Sequence, residues 1–139
     1  MLRILVPVDG SDNSLRAVRF LIQKASLFRD PANIHLLNVQ HPFPGTLRGV
    51  HREAQKEHHD EGLRMLVDAR KLLDDAGVPY EHHIVVGEAP QVIAQFVTDH
   101  GIQQVVMGTR GLGTVAGMLL GSVTTKLMHL VHVPVLLVP

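Results

Sequence analysis

The sequence contains no cysteine and no tryptophan, and its 13 basic side chains are balanced by 13 acidic ones. The absence of cysteine excludes a disulfide framework, a thiol nucleophile, a thiolate zinc site and an iron–sulfur cluster. The zero net charge argues against a broadly basic surface for nucleic acid. With 45% hydrophobic and 19% charged residues, the chain is also unlike a disordered protein. Its 139 residues therefore predict one folded domain with its own core.

Long hydrophobic runs are also absent. The longest apolar stretch lies near the C-terminus and is interrupted by Lys126, His129 and His132, so it cannot cross a bilayer as one helix. The apolar start of the chain reaches Pro7 and Asp9 too early for a signal peptide. We therefore expect a cytoplasmic protein without membrane contact.

Five short apolar runs alternate with helical patterns. The runs predict strands over residues 2–8, 34–39, 80–86, 105–107 and 135–138. This alternation predicts an α/β fold, an open five-stranded parallel sheet with helices on both faces. The longest helical pattern, from 51 to about 76, carries an apolar stripe that we expect to face the sheet: Ala54, His58, Gly62, Met65, Ala69, Leu72 and Ala76.

The segment after the fourth predicted strand is rich in glycine and poor in acids. Five glycines lie in the fourteen positions from Gly108 to Gly121, and the last 40 residues of the chain contain no Asp or Glu. Glycines let backbone N–H groups approach a ligand closely, and the helix predicted to begin near Ser122 favours an anion at its N-terminus. Arg110 and Lys126 add positive charge. The segment predicts a phosphate site, the alternative being a flexible connector.

Neither standard nucleotide motif is present. A P-loop requires lysine after its second glycine, but Thr114 follows Gly113. The glycines at 111, 113 and 117 resemble a loosened dinucleotide fingerprint, yet no acidic residue follows them to bind a ribose. Asp9, directly after the first strand, could accept hydrogen bonds from ribose or adenine, help to hold magnesium, or simply begin a turn or cap a helix.

The glycine spacing resembles that of a known family. Gly108-x2-Gly111, nine further residues and then Gly121-Ser122 match the G-x2-G-x9-G-[ST] pattern of ATP-binding universal stress proteins. The segments 4–11, 87–90 and 133–138 look like that family's first strand, third-helix turn and last strand. The resemblance covers the whole chain and implies one universal stress protein domain over residues 1–139.

The resemblance implies a Rossmann-like sheet of strand order 3-2-1-4-5, similar to adenine nucleotide alpha hydrolases. It implies an adenine nucleotide as ligand (ATP, ADP or AMP), with Mg²⁺ or Mn²⁺ held by the phosphates. It also implies a role in stress response or signalling through nucleotide-dependent dimer or partner contacts. Carried over residue by residue, it places Pro7, Val8, Asp9 and Val39 around adenine and ribose, Met107 and Gly108 near the nucleoside, and Gly111, Gly121, Ser122, Val123 and Thr124 at the phosphates. Arg110 and Lys126 join this site on charge alone.

A homodimer through the last strand, Val135 to Val138, is a further implication of the resemblance. The residues support it independently, because an apolar edge strand on a monomer is an aggregation liability unless it is paired or covered. Two alternatives stay open for the function. One is a slow ATP-hydrolysing enzyme, for which Asp9 is the nearest candidate base, and the other is a nucleotide-free scaffold of the same fold. We expect binding without a catalytic residue.

The chain has 10 histidines, which raises the question of a metal site. The adjacent pairs at 58–59 and 82–83 point in different directions on a helix and a strand, so neither pair chelates easily. His129 and His132 could share a helix face, but no carboxylate follows them. We therefore expect no metal site, while a collective response to pH near about 6 stays open.

Overall fold

A computed structural model describes residues 1–42, 51–109 and 120–139. Strands and helices alternate along these segments, as the sequence predicts. The strands are β1 (Leu2–Pro7), β2 (Ala32–Gln40), β3 (Tyr80–Val86), β4 (Gln104–Gly108) and β5 (Val135–Val138). The helices are α1 (Asp12–Lys24), α2 (His51–Asp75), α3 (Ala89–Asp99) and α4 (Ser122–Leu130), and a short 3₁₀ turn (Ala25–Leu27) follows α1.

The five strands form one parallel sheet of order β3-β2-β1-β4-β5. This arrangement confirms the predicted fold class and strand order. The order reverses between β1 and β4, because the chain first adds strands on one side of β1 and then on the other. A crevice forms outside the carboxyl ends of the strands at such a reversal, and it is where ligands of this architecture bind.

The core lies in two layers, one on each face of the sheet. Successive residues of a strand point to opposite faces, so Ile4 and Val6 pack beneath α1 and α2 whereas Leu5 packs beneath α3 and α4. All three side chains are fully buried. Because both faces are covered, the central strands read as continuous apolar runs rather than as alternating patterns.

The buried stripe of α2 differs in part from the predicted one. His58, Gly62 and Ala69 are buried as expected, but Ala76 is exposed and Met65 is only partly buried. The remaining buried positions are Leu66 and Leu73. The helix is therefore rotated by a fraction of a turn relative to the prediction, and this rotation brings Met65 to the carboxyl ends of the strands.

None of the helices in the described segments is both long enough and apolar enough to cross a membrane.

Candidate functional site

A cleft of about 690 Å³ opens at the carboxyl ends of the strands. Its volume lies within the range of about 300–1,000 Å³ that is typical of small-molecule sites. Its walls come from the turn after β1, the end of β2, one side chain of α2 and the first turns of α3 and α4. The lining residues are Asp9, Asn38, Val39, Gln40, His41, Pro42, Met65, Glu88, Ala89, Pro90, Ser122, Val123 and Lys126.

The turn from β1 to α1 places Asp9 in the cleft wall. Gly10 has a φ of +84°, a conformation that glycine adopts without steric cost, and the chain reverses there toward α1. Asp9 accepts a hydrogen bond from the Ser11 N–H at 2.9 Å, while the Ser11 hydroxyl accepts from the Ser14 N–H and caps α1. Asp9 therefore has the turn role considered from the sequence, and Ser11 rather than Asp9 caps the helix.

Buried hydrogen bonds hold the end of β2 against the end of β1. Asn38 is 2% exposed, and its side chain donates from Nδ2 to the Val8 carbonyl at 2.9 Å. Its Oδ1 accepts from Gln40 Nε2 at 2.7 Å, and the Gln40 carbonyl in turn accepts from the Gly87 N–H at 2.9 Å. These bonds fix the three strand ends that form the floor of the cleft.

Helix α4 begins at the cleft without a side-chain cap. Its N-cap is Gly121, and no acidic residue lies in its first turn. The Gly121 N–H donates to the Thr109 carbonyl at 2.9 Å, which fixes the helix start against the end of β4. The N–H groups of a first helical turn have no acceptor within the helix, and together with the helix dipole they favour an anion. Lys126, one turn further along α4, also lines the cleft.

The cleft carries charges of both signs. Lys126 and the start of α4 contribute positive potential, and Asp9 and Glu88 contribute two carboxylates. His41 Nδ1 lies 4.0 Å from Glu88 Oε2 at the rim. The sequence segment after β4 is free of acids, but the fold brings Glu88, at the start of α3, into the same cleft as the start of α4. Such a site suits a ligand with an anionic part and a part that donates hydrogen bonds.

The structure brings together some of the predicted site residues as lining side chains and places others behind them. Asp9, Val39, Ser122 and Val123 line the cleft, as does Lys126. Pro7, Val8, Met107, Gly108, Gly121 and Thr124 lie at the adjoining ends of β1 and β4 or at the start of α4. Arg110 and Gly111 lie outside the described residues.

Gly108 has a structural reason to be glycine that needs no ligand. A Cβ atom at this position would lie 2.7 Å from the backbone carbonyl oxygen of Asn13 and closer still to the Asn13 side chain. The end of β4 therefore packs directly on the first turn of α1. One glycine of the motif is explained by this packing alone.

Sequence reasoning missed several lining residues, among them Asn38, His41, Met65 and Glu88. Asn38 could have been identified from the sequence, since it is a polar residue inside a strand that must be buried. Met65 could not, because its position depends on how α2 is rotated on the sheet. Glu88 precedes α3 and reaches the cleft only through the strand order.

Comparisons with known proteins agree with this architecture. The model of the universal stress protein family matches residues 1–139. Universal stress protein YxiE of Bacillus subtilis is 30% identical over 146 residues, which span 98% of this chain and 97% of YxiE. The solved structure of the hypothetical protein MJ0577 superimposes with a TM-score of 0.81 at 26% identity, covering 98% of this chain and 94% of that one. A crystal structure of a universal stress protein in complex with cAMP has a TM-score of 0.71 at 28% identity, covering 99% and 97% of the two chains. The chain belongs to the universal stress protein family.

Proposed function

We propose that the chain binds an adenine nucleotide in the cleft and acts in stress response or signalling through the nucleotide-bound form. The observation that carries this proposal is the start of α4, which enters the cleft with no acidic residue in its first turn and with Lys126 beside it. The similar protein crystallised with cAMP supports an adenine nucleotide over other phosphate ligands.

The phosphates would lie at the start of α4. Backbone N–H groups of Ser122, Val123 and Thr124 would donate to them, and Lys126 would neutralise part of their charge. Gly121, whose N–H donates to the Thr109 carbonyl, would contribute as the N-cap that lets a phosphate approach the helix start closely. Arg110 and Gly111, which lie outside the described residues, would complete the phosphate side.

The adenine and ribose would lie on the β1 and β2 side of the cleft. Asp9 and Val39 line that side, the first as an acceptor for hydroxyl or amine groups and the second as an apolar surface. Pro7, Val8, Met107 and Gly108 would form the backbone behind the nucleoside. The phosphates would hold Mg²⁺ or Mn²⁺ through their own oxygens, with the Asp9 carboxylate as the protein group of suitable chemistry.

Isothermal titration calorimetry with ATP, ADP, AMP and cAMP in the presence of Mg²⁺ tests the proposal. The informative variant is Ser122→Asp, because an acidic residue in a first turn favours the helix by about 0.3–1 kcal/mol while repelling a phosphate. We expect a stably folded variant whose nucleotide affinity falls at least about tenfold, or about 1.4 kcal/mol.

The matched control is Ser26→Asp, which makes the same change at an exposed position of the 3₁₀ turn and should bind as the parent does. No saturable binding of any of the four nucleotides at millimolar concentration would refute the proposal and leave the nucleotide-free scaffold. Mass spectrometry of the ligand released from purified, denatured protein would identify the nucleotide carried from the cell.

We propose that binding, rather than turnover, is the function of the cleft. A hydrolase needs a base positioned beside the phosphates, and the first turn of α4 supplies none. The carboxylates of the cleft come from the turn after β1 and the start of α3. Phosphate release from ATP with Mg²⁺ or Mn²⁺ should therefore equal the protein-free blank, and release that scales with protein concentration and disappears in Asp9→Asn would establish an enzyme instead.

We further propose that β5 joins two copies of the chain. This strand pairs with β4 on one side, and its four apolar residues are each only partly buried. The carbonyls of Pro134 and Val138 accept hydrogen bonds from the N–H groups of Val105 and Thr109, at 2.9 and 3.1 Å. Because the backbone alternates with a period of two, the N–H of Leu137 points away from β4, toward the open edge.

Two substitutions at Leu137 separate pairing from packing. Leu137→Pro removes the outward N–H, which an edge strand tolerates, and Leu137→Ala removes similar side-chain contacts but keeps that N–H. In sedimentation velocity experiments, with and without ATP, we expect Leu137→Ala to dimerise and Leu137→Pro to be monomeric. A monomeric parent chain, or two variants with the same sedimentation coefficient, would contradict the β5 dimer.

A further inference from the structure

Three side chains meet on the face of the sheet that α3 covers, and none of them belongs to the proposed nucleotide site. His35 lies on β2 in register with Glu81 on β3, and His83 follows Glu81 by two residues. Residues two apart on a strand share a face, so Glu81 and His83 both stand beside His35, whereas His82 faces the other way. We call these three residues the β2–β3 cluster.

The polar atoms of the β2–β3 cluster converge on one point. His35 Nδ1 lies 3.1 Å from His83 Nε2 and 3.4 Å from Glu81 Oε2. One nitrogen or oxygen atom from each residue lies within 4.8 Å of the other two. Two ligand atoms bound at about 2.0–2.1 Å to one tetrahedral ion are about 3.4 Å apart, so these separations fit a shared ion with adjustments of tenths of an ångström.

The surroundings of the cluster are closed on one side and open on the other. His35 is 5% exposed, and its Nδ1 is the ring nitrogen that faces His83 and Glu81. Phe96 packs edge-on against His83, with ring centroids 4.7 Å apart. The Glu81 side chain, by contrast, is 60% exposed, which gives an ion and a water molecule a path from solvent.

The cluster is separate from the cleft. His35 precedes Val39 by four residues on the same strand, a distance of about 13 Å at 3.3 Å per residue. It lies toward the amino ends of the strands, near the C-terminal end of α3, whereas the cleft is at the carboxyl ends. A ligand of the cluster would therefore not be the nucleotide.

We propose that His35 Nδ1, His83 Nε2 and the Glu81 carboxylate bind a divalent transition-metal ion of the zinc class, with water as the fourth ligand. Two imidazoles and one carboxylate are a donor set that zinc accepts in open sites, and imidazole also suits copper and nickel. The expectation of no metal site considered only histidines within three residues of each other in the sequence. The ligands here meet across two strands, a relation that requires the register of the sheet.

The protonation of the two rings is compatible with metal binding. Burial lowers the pKa of His35 and outweighs the opposing effect of Glu81. Burial likewise lowers the pKa of His83, with His35 and His100 acting in the same direction. Neutral imidazole is the form that coordinates a metal.

A simpler arrangement of the same atoms is a hydrogen bond between the two imidazoles with no ion. That arrangement accounts for the 3.1 Å distance, with the Glu81 carboxylate, 3.4 Å from the same Nδ1, as a second acceptor for its proton. The two alternatives differ in whether the chain binds Zn²⁺ at this point, and a titration decides between them.

The experiment is a calorimetric titration of Zn²⁺ into the full chain, treated with chelator and free of nucleotide, at a pH of about 7.5, where the imidazoles are neutral. We expect one ion per chain at a saturable site. His83→Gln and Glu81→Gln should each lower the affinity at least about tenfold. Both residues are partly or largely exposed, so the variants are expected to fold, which circular dichroism would check. Co²⁺ in place of Zn²⁺ should give the visible absorption of a tetrahedral site.

The matched control is His82→Gln, which removes a neighbouring histidine from the opposite face of the same strand and should bind Zn²⁺ as the parent does. His129→Gln controls in the same way for an exposed histidine of α4. No saturable Zn²⁺ binding would overturn the proposal, as would parental affinity in His83→Gln. Equal losses in His82→Gln and His83→Gln would also overturn it, because they would indicate general histidine binding.

Discussion

Asn38→Asp is a sharp test of the hydrogen bonds under the cleft, because it changes one group and almost no volume. In the parent, Asn38 Nδ2 donates to the Val8 carbonyl at 2.9 Å, and Asn38 Oδ1 accepts from Gln40. Aspartate keeps the acceptor for Gln40 but places a second carboxylate oxygen where the donor was. Two oxygen atoms then face each other at a site that is 2% exposed.

The expected loss follows from two effects. A buried carbonyl left without its donor costs about 1–3 kcal/mol, and a buried charge without a partner raises the loss to about 3–5 kcal/mol. Total stabilities of about 5–15 kcal/mol are usual, so the variant should unfold at a clearly lower urea concentration. Asn38→Ala removes the same donor without adding charge and should lose less.

The pH dependence distinguishes this explanation from a simple packing defect. A carboxyl group in this position has its pKa raised above about 3.9, because burial and the facing carbonyl disfavour the anion. Once protonated, it can donate to Val8 as the amide did. The gap in unfolding free energy between variant and parent should therefore narrow as pH falls from about 7.5 to about 5.

Urea denaturation monitored by circular dichroism measures both quantities. Asn33→Asp is the control, since it makes the same change at a partly exposed position of the same strand and should alter stability by no more than about 0.5 kcal/mol. The explanation fails if Asn38→Asp is as stable as the parent near neutral pH, or if its deficit is the same at both pH values.

Three further outcomes follow from the packing and from the buried histidine. Gly108→Ala should lower stability by about 1–3 kcal/mol, since the added Cβ meets the Asn13 backbone, and an unchanged melting temperature would contradict the close approach. Leu127→Ala, at a fully buried position of α4, should lose about 2–5 kcal/mol, whereas the adjacent Met128→Ala, 51% exposed, should lose about 0.5 or less. Burial lowers the pKa of His35, so the unfolded chain binds that proton more readily and stability falls as pH drops below about 6.5. With chelator present, urea midpoints that do not change between pH of about 7.5 and 5.5 would contradict this.

The sequence predicts the sheet well because each strand corresponds to one contiguous apolar run of residues. β3 and β5 begin and end where their apolar runs do, and the strand order follows from a family resemblance that the structure bears out. The exact face of α2 was not predictable to the same degree. Its apolar residues fit more than one rotation on the sheet, and packing selects the one that buries Leu66 and Leu73 and leaves Met65 at the cleft.

The candidate site is predictable only where its residues follow one another in the chain. The start of α4 contributes Ser122, Val123 and Lys126, so the sequence alone shows their charge and the glycines that precede them. Glu88 comes from an element far away in the chain and reaches the cleft through the parallel crossover. Such neighbours depend on strand order and register, which composition and periodicity do not encode.

Two polar residues of β2 could nevertheless have been recognised as unusual from the sequence alone. In a strand buried on both faces, apolar residues are the default, because a buried polar group requires a partner. Asn38 and His35 are two buried polar residues of this strand. Asn38 lies under the cleft and forms hydrogen bonds with Val8 and Gln40. His35 lies toward the opposite end of the strand, beside Glu81 and His83. The first exception is explained by hydrogen bonds within the chain. The second places a carboxylate and a second imidazole beside Nδ1 of a buried histidine, in the register of two strands, which is the donor set of a metal site. That contrast is why the Zn²⁺ titration belongs at His35 and not at Asn38.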